Sequence, residues 1–168
     1  MNVVIDIGNT VAKIALFREN TFISKRVIDQ LEVIDYIKNL VFDRGIISNV
    51  GNKNLEKKLL AFCPNLVSLN TQFKFPIKFA YETMNSLGLD RIANAVGAYV
   101  ETADKNSLII DVGSCLTFDF IDSNNCYRGG AISPGLNMRF KALNNFTENL
   151  PLLNLNSSKP KLIGLSTN

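Results

Sequence analysis

The sequence predicts an α/β protein built from two similar halves. An apolar stretch that leads into Asp, one further residue and Gly occurs twice, at residues 3–10 (VVIDIGNT) and at residues 108–115 (LIIDVGSC). Two more stretches rich in apolar and β-branched residues follow each copy, which is the pattern of a β-meander. Because a long stretch of helical periodicity separates the copies, each half is expected to hold its own mixed sheet flanked by helices.

The first half is predicted to contain five strands and two helices. The strands are short apolar or β-branched runs bounded by polar or Gly residues; they are expected at 3–7, 12–17, 21–27, 45–50 and 65–69. Apolar side chains at helical spacing predict one helix that starts near Val33 and ends before Gly45. A second helix is expected from Leu55 to the stop at Pro64, and an extended connection at 73–76.

A long helix is expected to begin just after Gly88, with Asp90 as its N-cap, and to divide the halves. A second meander follows this helix; its strands are expected at 108–112, 117–121 and 126–132. Pro134 is then expected to open a last helix.

These elements divide the chain into two predicted domains. The first covers residues 1–105 and ends in the long helix, and the second covers residues 106–168. Only a short segment follows Pro160, where the counterparts of the first domain's later strands and helices would be expected. The second domain is therefore predicted to be incomplete.

Composition and charge exclude several classes of function. The net charge is only +3, and basic residues cluster no further than pairs such as Lys25-Arg26, so no nucleic-acid surface is expected. The chain has no histidine, which excludes a Ser-His-Asp or Cys-His nucleophile and a histidine-liganded zinc. Any acid or base in catalysis must therefore be a carboxylate, lysine, tyrosine or cysteine.

Other sequence features predict a protein that is neither secreted nor bound to a membrane. No basic segment precedes the first apolar run, which Asp6 interrupts, so neither a signal peptide nor a membrane span is expected. The cysteines at 63, 115 and 126 lack the paired spacing of a zinc or redox site. They are expected to be free thiols in a reducing compartment.

The first Asp-Gly turn is a candidate phosphate site. Residues 6–13 supply a carboxylate, turn amides and a cation, which phosphoryl transfer requires together. An ordinary hairpin turn explains the same residues, with Asp6 accepting hydrogen bonds from the turn and Lys13 lying at a strand edge. The second copy of the turn favours the functional interpretation, because two such turns suggest a clamp around a polyphosphate.

The second turn carries Asp111 at the end of an apolar strand, followed by Gly113 and Ser114. Burying an isolated carboxylate is costly, so Asp111 is expected to cap the turn or to coordinate a cation. The hydroxyl and amide of Ser114 can bind phosphate. Asp119 and Asp122 are interpreted as surface residues.

Residues 88–91, Gly-Leu-Asp-Arg, begin the long helix. Asp90 is typical of a helix cap, and Arg91 would then be a solvated residue of the first turn. A cation is disfavoured at the positive end of a helix, so Arg91 is instead expected to have an anionic partner. Tyr81, upstream, is either a core residue or the wall of a pocket.

A glycine-rich stretch at residues 127–135 precedes the last helix. Gly129 and Gly130 let the backbone approach a ligand or a neighbouring strand closely, and the following helix start presents free amides. A bulge and a helix start without a ligand explain the same pattern.

Four motifs, in this order, resemble the type III pantothenate kinases. They are Asp-x-Gly-Asn-Thr with Lys13, Gly-x-Asp-Arg at 88–91, Asp-x-Gly at 111–113 and Gly-Gly-x-Ile-x-Pro-Gly at 129–135. The repeated meander also resembles the doubled ribonuclease-H-like core of the actin-like ATPase and sugar-kinase superfamily, where ATP lies between the halves. The resemblance implies ATP-dependent phosphorylation of the primary hydroxyl of pantothenate, the first step of coenzyme A synthesis, by a cytoplasmic homodimer.

The resemblance also implies roles for individual residues. It assigns ATP binding to Asp6, Ile7, Gly8, Asn9, Thr10, Val11, Ala12, Lys13 and Ser114. It assigns pantothenate binding to Tyr81, Gly88, Leu89, Asp90, Arg91 and Thr167. Asp90 would be the proton acceptor, Arg91 would meet the pantothenate carboxylate, and Asp111 would hold a monovalent cation, K⁺ or NH₄⁺. ATP would bring Mg²⁺ with it.

The chain departs from the family at the second turn, where the common Gly-Thr-Ala-Thr-Thr is replaced by Gly-Ser-Cys-Leu-Thr at residues 113–117. Two alternatives to the kinase stay open. One is an ATP-binding regulator without catalysis, against which the intact charged residues of the motifs argue. The other is a ribonuclease-H-like nuclease in which Asp6 binds a catalytic metal, against which the repeated turn and the modest net charge argue.

Overall fold

The computed structural model describes residues 1–154, which contain nine strands and four α-helices. In chain order they are β1 (Asn2–Ile7), β2 (Val11–Arg18), β3 (Thr21–Asp29), α1 (Val33–Lys38), β4 (Arg44–Asn49), α2 (Lys53–Phe62), β5 (Leu66–Ser68), β6 (Lys78–Phe79), α3 (Leu89–Thr102), β7 (Ser107–Val112), β8 (Cys115–Ile121), β9 (Cys126–Pro134) and α4 (Leu136–Asn145). None of the helices in this part of the chain is long and apolar enough to cross a membrane.

The first sheet has five strands in the order β3-β2-β1-β4-β5. β1, β2 and β3 form an antiparallel meander, and β4 and β5 extend the sheet in parallel beyond β1. Alternation along β1 sends Val3, Ile5 and Ile7 to one face, where they are buried beneath α1 and α2. Val4 and Asp6 consequently lie on the opposite face, which α3 approaches.

The second sheet has the order β6-β9-β8-β7. β7, β8 and β9 form the second antiparallel meander, and β6 pairs in parallel with β9. Ile92 and Ala95 of α3 are fully buried in a second core that includes Ile121 and Tyr127. Because α3 also contacts β4, one helix packs against both sheets.

The other face of the second sheet is bare within residues 1–154. Leu108, Ile110 and Val112 alternate along β7 toward this face, and each is more than half exposed. Phe120, the cross-strand partner of Leu108, is exposed beside them. The two sheets therefore differ in their covering, although they begin with the same meander.

The mixed α/β class and the two predicted meanders are confirmed. Every predicted strand is present within two residues of its expected bounds. β6 was not predicted, because two residues are too few for a periodic pattern to be recognised.

Helix α3 begins just after Gly88, as predicted, but its predicted N-cap and the predicted start of α4 are wrong. The N-cap of α3 is Gly88, and Asp90 lies inside the first turn. Pro134 is the last residue of β9, and α4 begins only at Leu136. A proline fits the end of a strand as well as the start of a helix, because neither position requires an amide donor.

Candidate active site

A cleft of about 190 Å³ opens where the two meanders meet. It lies at the carboxyl ends of the parallel strands β1 and β4, the edge at which open α/β sheets commonly bind ligands. Both Asp-Gly turns and the start of α3 contribute to its wall. The predicted residues that the structure brings together here are Asp6, Gly8, Asn9, Thr10, Val11, Lys13, Asp90, Asp111 and Ser114.

The first turn joins β1 to β2 and holds Asp6 beside Lys13. The two are cross-strand partners, and Lys13 Nζ lies 3.4 Å from Asp6 Oδ2. The Gly8 amide donates to the Val11 carbonyl at 3.1 Å, and Gln30 Nε2 donates to the Gly8 carbonyl at 2.7 Å. The turn is therefore fixed at both its amide and its carbonyl, with a cation and a carboxylate beside it.

The second turn joins β7 to β8 and is closed in a similar way. The Gly113 amide donates to the Cys115 carbonyl at 2.9 Å, and the Gly135 amide donates to the Ser114 carbonyl at 3.1 Å. Ser114 Oγ lies 3.3 Å from Thr10 Oγ1, within hydrogen-bond distance. A hydroxyl from each half thus meets its counterpart across the cleft.

Three carboxylates make the cleft negative. Asp6, Asp90 and Asp111 all line it, and Asn94 Nδ2 donates to Asp111 Oδ2 at 3.3 Å. Burial raises the pKa of Asp6, and the charges of Asp90 and Asp111 add to this rise, against the lowering effect of Lys13. Lys13 alone therefore does not neutralise the cleft, and an additional cation would be stabilised there.

No preformed metal site accompanies these carboxylates. Among residues 1–154, no group of three His, Cys, Asp or Glu side chains is placed so that it could hold a metal ion.

Replacing Asp6 by asparagine is expected to stabilise the fold at neutral pH. Because the folded state raises the pKa of Asp6, it binds a proton more tightly than the unfolded state does, and stability falls as the pH rises from the usual value of 3.8 through the raised one. The variant lacks this loss. Thermal unfolding followed by circular dichroism should give a melting temperature about 1–3 °C higher at pH 7, with a smaller gain at pH 4.

Asp43 provides a control of opposite sign for this prediction. A hydrogen bond from the Met1 amino group, together with its charge, holds the pKa of Asp43 below the usual value. Ionised Asp43 therefore stabilises the fold, and Asp43→Asn should lower the melting temperature at pH 7. Shifts of the same sign in both variants would contradict the electrostatic explanation.

Helix α3 begins at the cleft and brings Asp90 into it. A carboxylate is favoured in the first turn by the positive end of the helix. Asp90 Oδ1 accepts the Arg91 amide at 2.8 Å, whereas Oδ2 has no hydrogen-bond partner within residues 1–154. One oxygen is thus fixed and the other is available to a ligand.

The anionic partner expected for Arg91 is Asp119. Arg91 Nε and Nη2 donate to Asp119 Oδ1 at 2.9 and 2.6 Å, and Tyr127 Oη donates to the same oxygen at 2.5 Å. The Asp119 side chain is 0% exposed and that of Arg91 only 7%. The prediction of Asp119 as a surface residue is therefore wrong. Asp122 is also mostly covered, at 14% exposure, and pairs with Arg128.

Strand alternation in β8 gives no sign that Asp119 is buried, because it sets this polar residue opposite the apolar Phe118 and Phe120. In β8, Asp119 lies on the same face as Thr117 and Ile121, and all three are buried. The hydrophobic residues around it, Phe118 and Phe120, belong to the opposite and more exposed face.

Of the other predicted residues that the structure describes, the cleft wall includes none of Ile7, Ala12, Tyr81, Gly88, Leu89 and Arg91. Ile7 and Ala12 are fully buried in the first core, so only their backbone is near the turn. Tyr81 and Leu89 pack against the second core, where the Tyr81 ring lies 6.0 Å from that of Tyr127. Thr167 lies outside the described residues.

Thr117 is a cleft residue that the sequence reasoning missed. It is the cross-strand partner of Asp111, and its buried Oγ1 finds no hydrogen-bond partner in the described part of the chain. A buried hydroxyl without a partner is costly. Its position in the cleft wall makes a ligand atom a suitable partner.

Comparison with known proteins identifies one family. The family model of the type III pantothenate kinases matches residues 2–168. The chain is 38% identical to a type III pantothenate kinase of Flavobacterium psychrophilum, over 100% of this chain and 72% of that protein. It is 40% identical to a type III pantothenate kinase of Christiangramia forsetii, over 99% of this chain and 71% of that protein.

A solved structure has a related fold. The crystal structure of a Campylobacter jejuni protein, described as a conserved candidate Baf family transcriptional activator, matches with a TM-score of 0.58 and 25% identity. The match covers 95% of this chain and 68% of the other. The two kinases and the Campylobacter jejuni protein each match nearly the whole of this chain, and each is longer than this chain.

Proposed function

This chain belongs to the type III pantothenate kinase family, and we propose that its cleft is where the γ-phosphoryl group of ATP passes to pantothenate. The enzymes of this family, this chain included, phosphorylate pantothenate with ATP in the first step of coenzyme A synthesis. The observation that carries the proposed location is the convergence of both Asp-Gly turns and Asp90 on one cleft.

The phosphates of ATP are proposed to bind between the two turns, along residues 6–13 and at Ser114. Lys13 supplies a positive charge, and the hydroxyls of Thr10 and Ser114 meet at the same point. The volume of about 190 Å³ is below the roughly 300–1,000 Å³ typical of a pocket for a whole ligand. The cleft therefore suits the polyphosphate, with the adenosine extending beyond it.

Two cations are proposed to balance the carboxylates. Asp6 would help to hold the Mg²⁺ that enters with ATP, and this ion would supply positive charge against the charge that develops on the transferred group. Asp111 would hold K⁺ or NH₄⁺. The excess of three carboxylates over the single Lys13 in the cleft wall supports both assignments.

Asp90 is proposed to be the proton acceptor. Its free Oδ2 would accept a hydrogen bond from the primary hydroxyl of pantothenate. The hydroxyl oxygen forms the new bond to the γ-phosphorus as the bond to the bridging oxygen breaks, ADP leaves, and the hydroxyl proton passes to Asp90. Because this transition state is loose, the main contribution of Asp90 is to orient the hydroxyl.

Pantothenate is proposed to lie against Tyr81 and residues 88–91, with Thr167 as a further contact. Arg91 remains the proposed partner of the pantothenate carboxylate, through Nη1. The Nε and Nη2 donors are engaged by Asp119, and among residues 1–154 no acceptor for Nη1 is present.

The same family membership supports a proposed organisation of the molecule. We propose two ribonuclease-H-like domains of the actin-like ATPase superfamily, over residues 1–105 and 106–168, in a cytoplasmic homodimer. The repeated meander, with one copy in each sheet, supports two domains, although β6 of the first half pairs with β9 in the second sheet.

A coupled assay of ADP release, with ATP, Mg²⁺ and K⁺, tests the proposed reaction. ADP formation is expected to require pantothenate and to slow when Na⁺ replaces K⁺. ADP formation at the same rate without pantothenate would contradict the proposed acceptor. Equal rates in Na⁺ and K⁺ would contradict only the monovalent cation at Asp111.

A further inference from the structure

Asp119 is a fully buried carboxylate for which the proposed chemistry has no direct use. Arg91 donates three hydrogen bonds to it, from Nε at 2.9 and 3.2 Å to its two oxygens and from Nη2 at 2.6 Å, and Tyr127 Oη adds a fourth at 2.5 Å. These bonds compensate the cost of taking both charges out of water. A buried ion pair of this kind seldom stabilises a fold more than apolar side chains of the same size would. The ion pair therefore contributes mainly by fixing the orientation of Arg91.

The three side chains, Arg91, Asp119 and Tyr127, form a buried triad that joins three elements. Arg91 belongs to the first turn of α3, Asp119 to β8 and Tyr127 to β9. Burial lowers the pKa of Arg91, but the hydrogen bonds and the charge of Asp119 outweigh burial, so the pKa of Arg91 is raised. Burial is also the largest cause of the raised pKa of Tyr127, and the hydrogen bond to Asp119 is the next. The guanidinium is thus charged and the phenol is protonated, so each donates to Asp119 at neutral pH.

The triad is contiguous with the proposed catalytic groups. Asp90 precedes Arg91, and its Oδ1 accepts the Arg91 amide, so the base and the buried arginine share one backbone segment. The rings of Tyr81 and Tyr127 pack with centroids 6.0 Å apart. A shift of Arg91 would therefore move Asp90, and a shift of Tyr127 would disturb the Tyr81 wall.

We propose that Asp119 and Tyr127 are positioning residues, which hold Arg91 and through it fix the first turn of α3 so that Asp90 faces the acceptor hydroxyl. This inference rests on the proposed role of Asp90. Phosphoryl transfer depends mainly on the placement of reacting groups, and a displacement of about 1 Å costs on the order of 100-fold in rate. The triad would place Asp90 in this way although Asp119 itself is buried and contacts neither substrate.

Tyr127→Phe is the sharpest test, because it removes one hydroxyl and keeps the ring that packs against Phe79 and Tyr81. We expect kcat for pantothenate phosphorylation to fall by about 5- to 20-fold, with the KM for ATP unchanged. Asp119→Asn should lower kcat further, by about 100-fold. This variant leaves the buried positive charge of Arg91 without a negative partner, so it is more prone to misfold than Tyr127→Phe.

Asp122→Asn is the matched control. It breaks an ion pair to Arg128 at 2.7 Å, at the end of the same β8–β9 hairpin, but Asp122 pairs with no proposed substrate residue in the described part of the chain. Its kcat should equal that of the parent chain. A loss equal to that of Tyr127→Phe would mean that any weakening of the hairpin slows the enzyme, and would overturn the positioning role.

Amide hydrogen exchange gives a second readout that needs no activity. The Ile92 amide donates to the Gly88 carbonyl in the first turn of α3. Tyr127→Phe should accelerate exchange at Ile92 by about tenfold and leave the middle of α3 unchanged. Uniform acceleration along α3, or none, would overturn the inference. If the parent chain fails to phosphorylate pantothenate, the proposed function fails, and the exchange pattern alone decides whether the triad positions this turn.

Discussion

Asp90→Asn should reduce kcat for pantothenate phosphorylation by about 10²–10⁴-fold, the range typical of a lost general base. The amide keeps the shape of the side chain and an oxygen that can accept the Arg91 amide, as Asp90 Oδ1 does at 2.8 Å. It cannot take the proton of the acceptor hydroxyl. The melting temperature should therefore change little while turnover is lost, as measured by coupled ADP release.

Asp35→Asn is the matched control for this prediction. Asp35 is also an aspartate in the first turn of a helix, but it is exposed, and within residues 1–154 its carboxylate pairs only with Lys38, at 3.4 Å. The favourable interaction with the helix end is similar for both residues. Full activity in Asp35→Asn beside a large loss in Asp90→Asn would assign the effect to the cleft. Activity within about threefold of the parent in Asp90→Asn would refute its role as the base.

Gly130→Ala should destabilise the protein by about 3–5 kcal/mol or prevent folding, as severe overpacking does. A Cβ at Gly130 would lie 1.8 Å from the Phe118 carbonyl oxygen and 2.8 Å from Asp119 Oδ1. The backbone of β8 would have to move, and Asp119 with it. Urea unfolding measures the loss, and any folded variant should also have a lower kcat.

Gly97→Ala separates this steric effect from the general effect of replacing glycine. Gly97 lies in α3, and a Cβ there would meet nothing within 4 Å. Alanine in a helix interior is favoured over glycine by about 1 kcal/mol, so this variant should be more stable than the parent. Equal destabilisation by both substitutions would contradict the contact argument for Gly130.

The sheets could be predicted because their pattern is local. The Asp-Gly turns, the polar hairpin turns and the alternation within each strand are read from a few consecutive residues. The same locality explains the errors at Asp90 and Pro134, since a helix cap and a first-turn carboxylate differ by two positions, and proline suits both a strand end and a helix start. The two-residue β6 has no pattern of its own.

Single residues of the candidate site could be predicted from the sequence, but the contacts between residues distant in the chain could not. An anionic partner for Arg91 followed from the position of a cation at a helix start, whereas the identity of that partner required the packing of α3 onto β8. Asp119 was misjudged for the same reason, because its burial is created by α3 and Tyr127. Thr117 was missed because only the assembled cleft leaves its hydroxyl without a partner among the described residues.

The contact between Thr10 and Ser114 has a consequence for what the cleft admits. Their hydroxyls lie 3.3 Å apart, one donating to the other, so a molecule that enters between them must displace that bond. A neutral acceptor offers a bond of about the same strength, roughly 0.5–1.5 kcal/mol, whereas a charged one offers roughly 1.5–3 kcal/mol. A charged acceptor therefore gains from this exchange of partners, once cations offset the carboxylates of the cleft, whereas a neutral acceptor only breaks even.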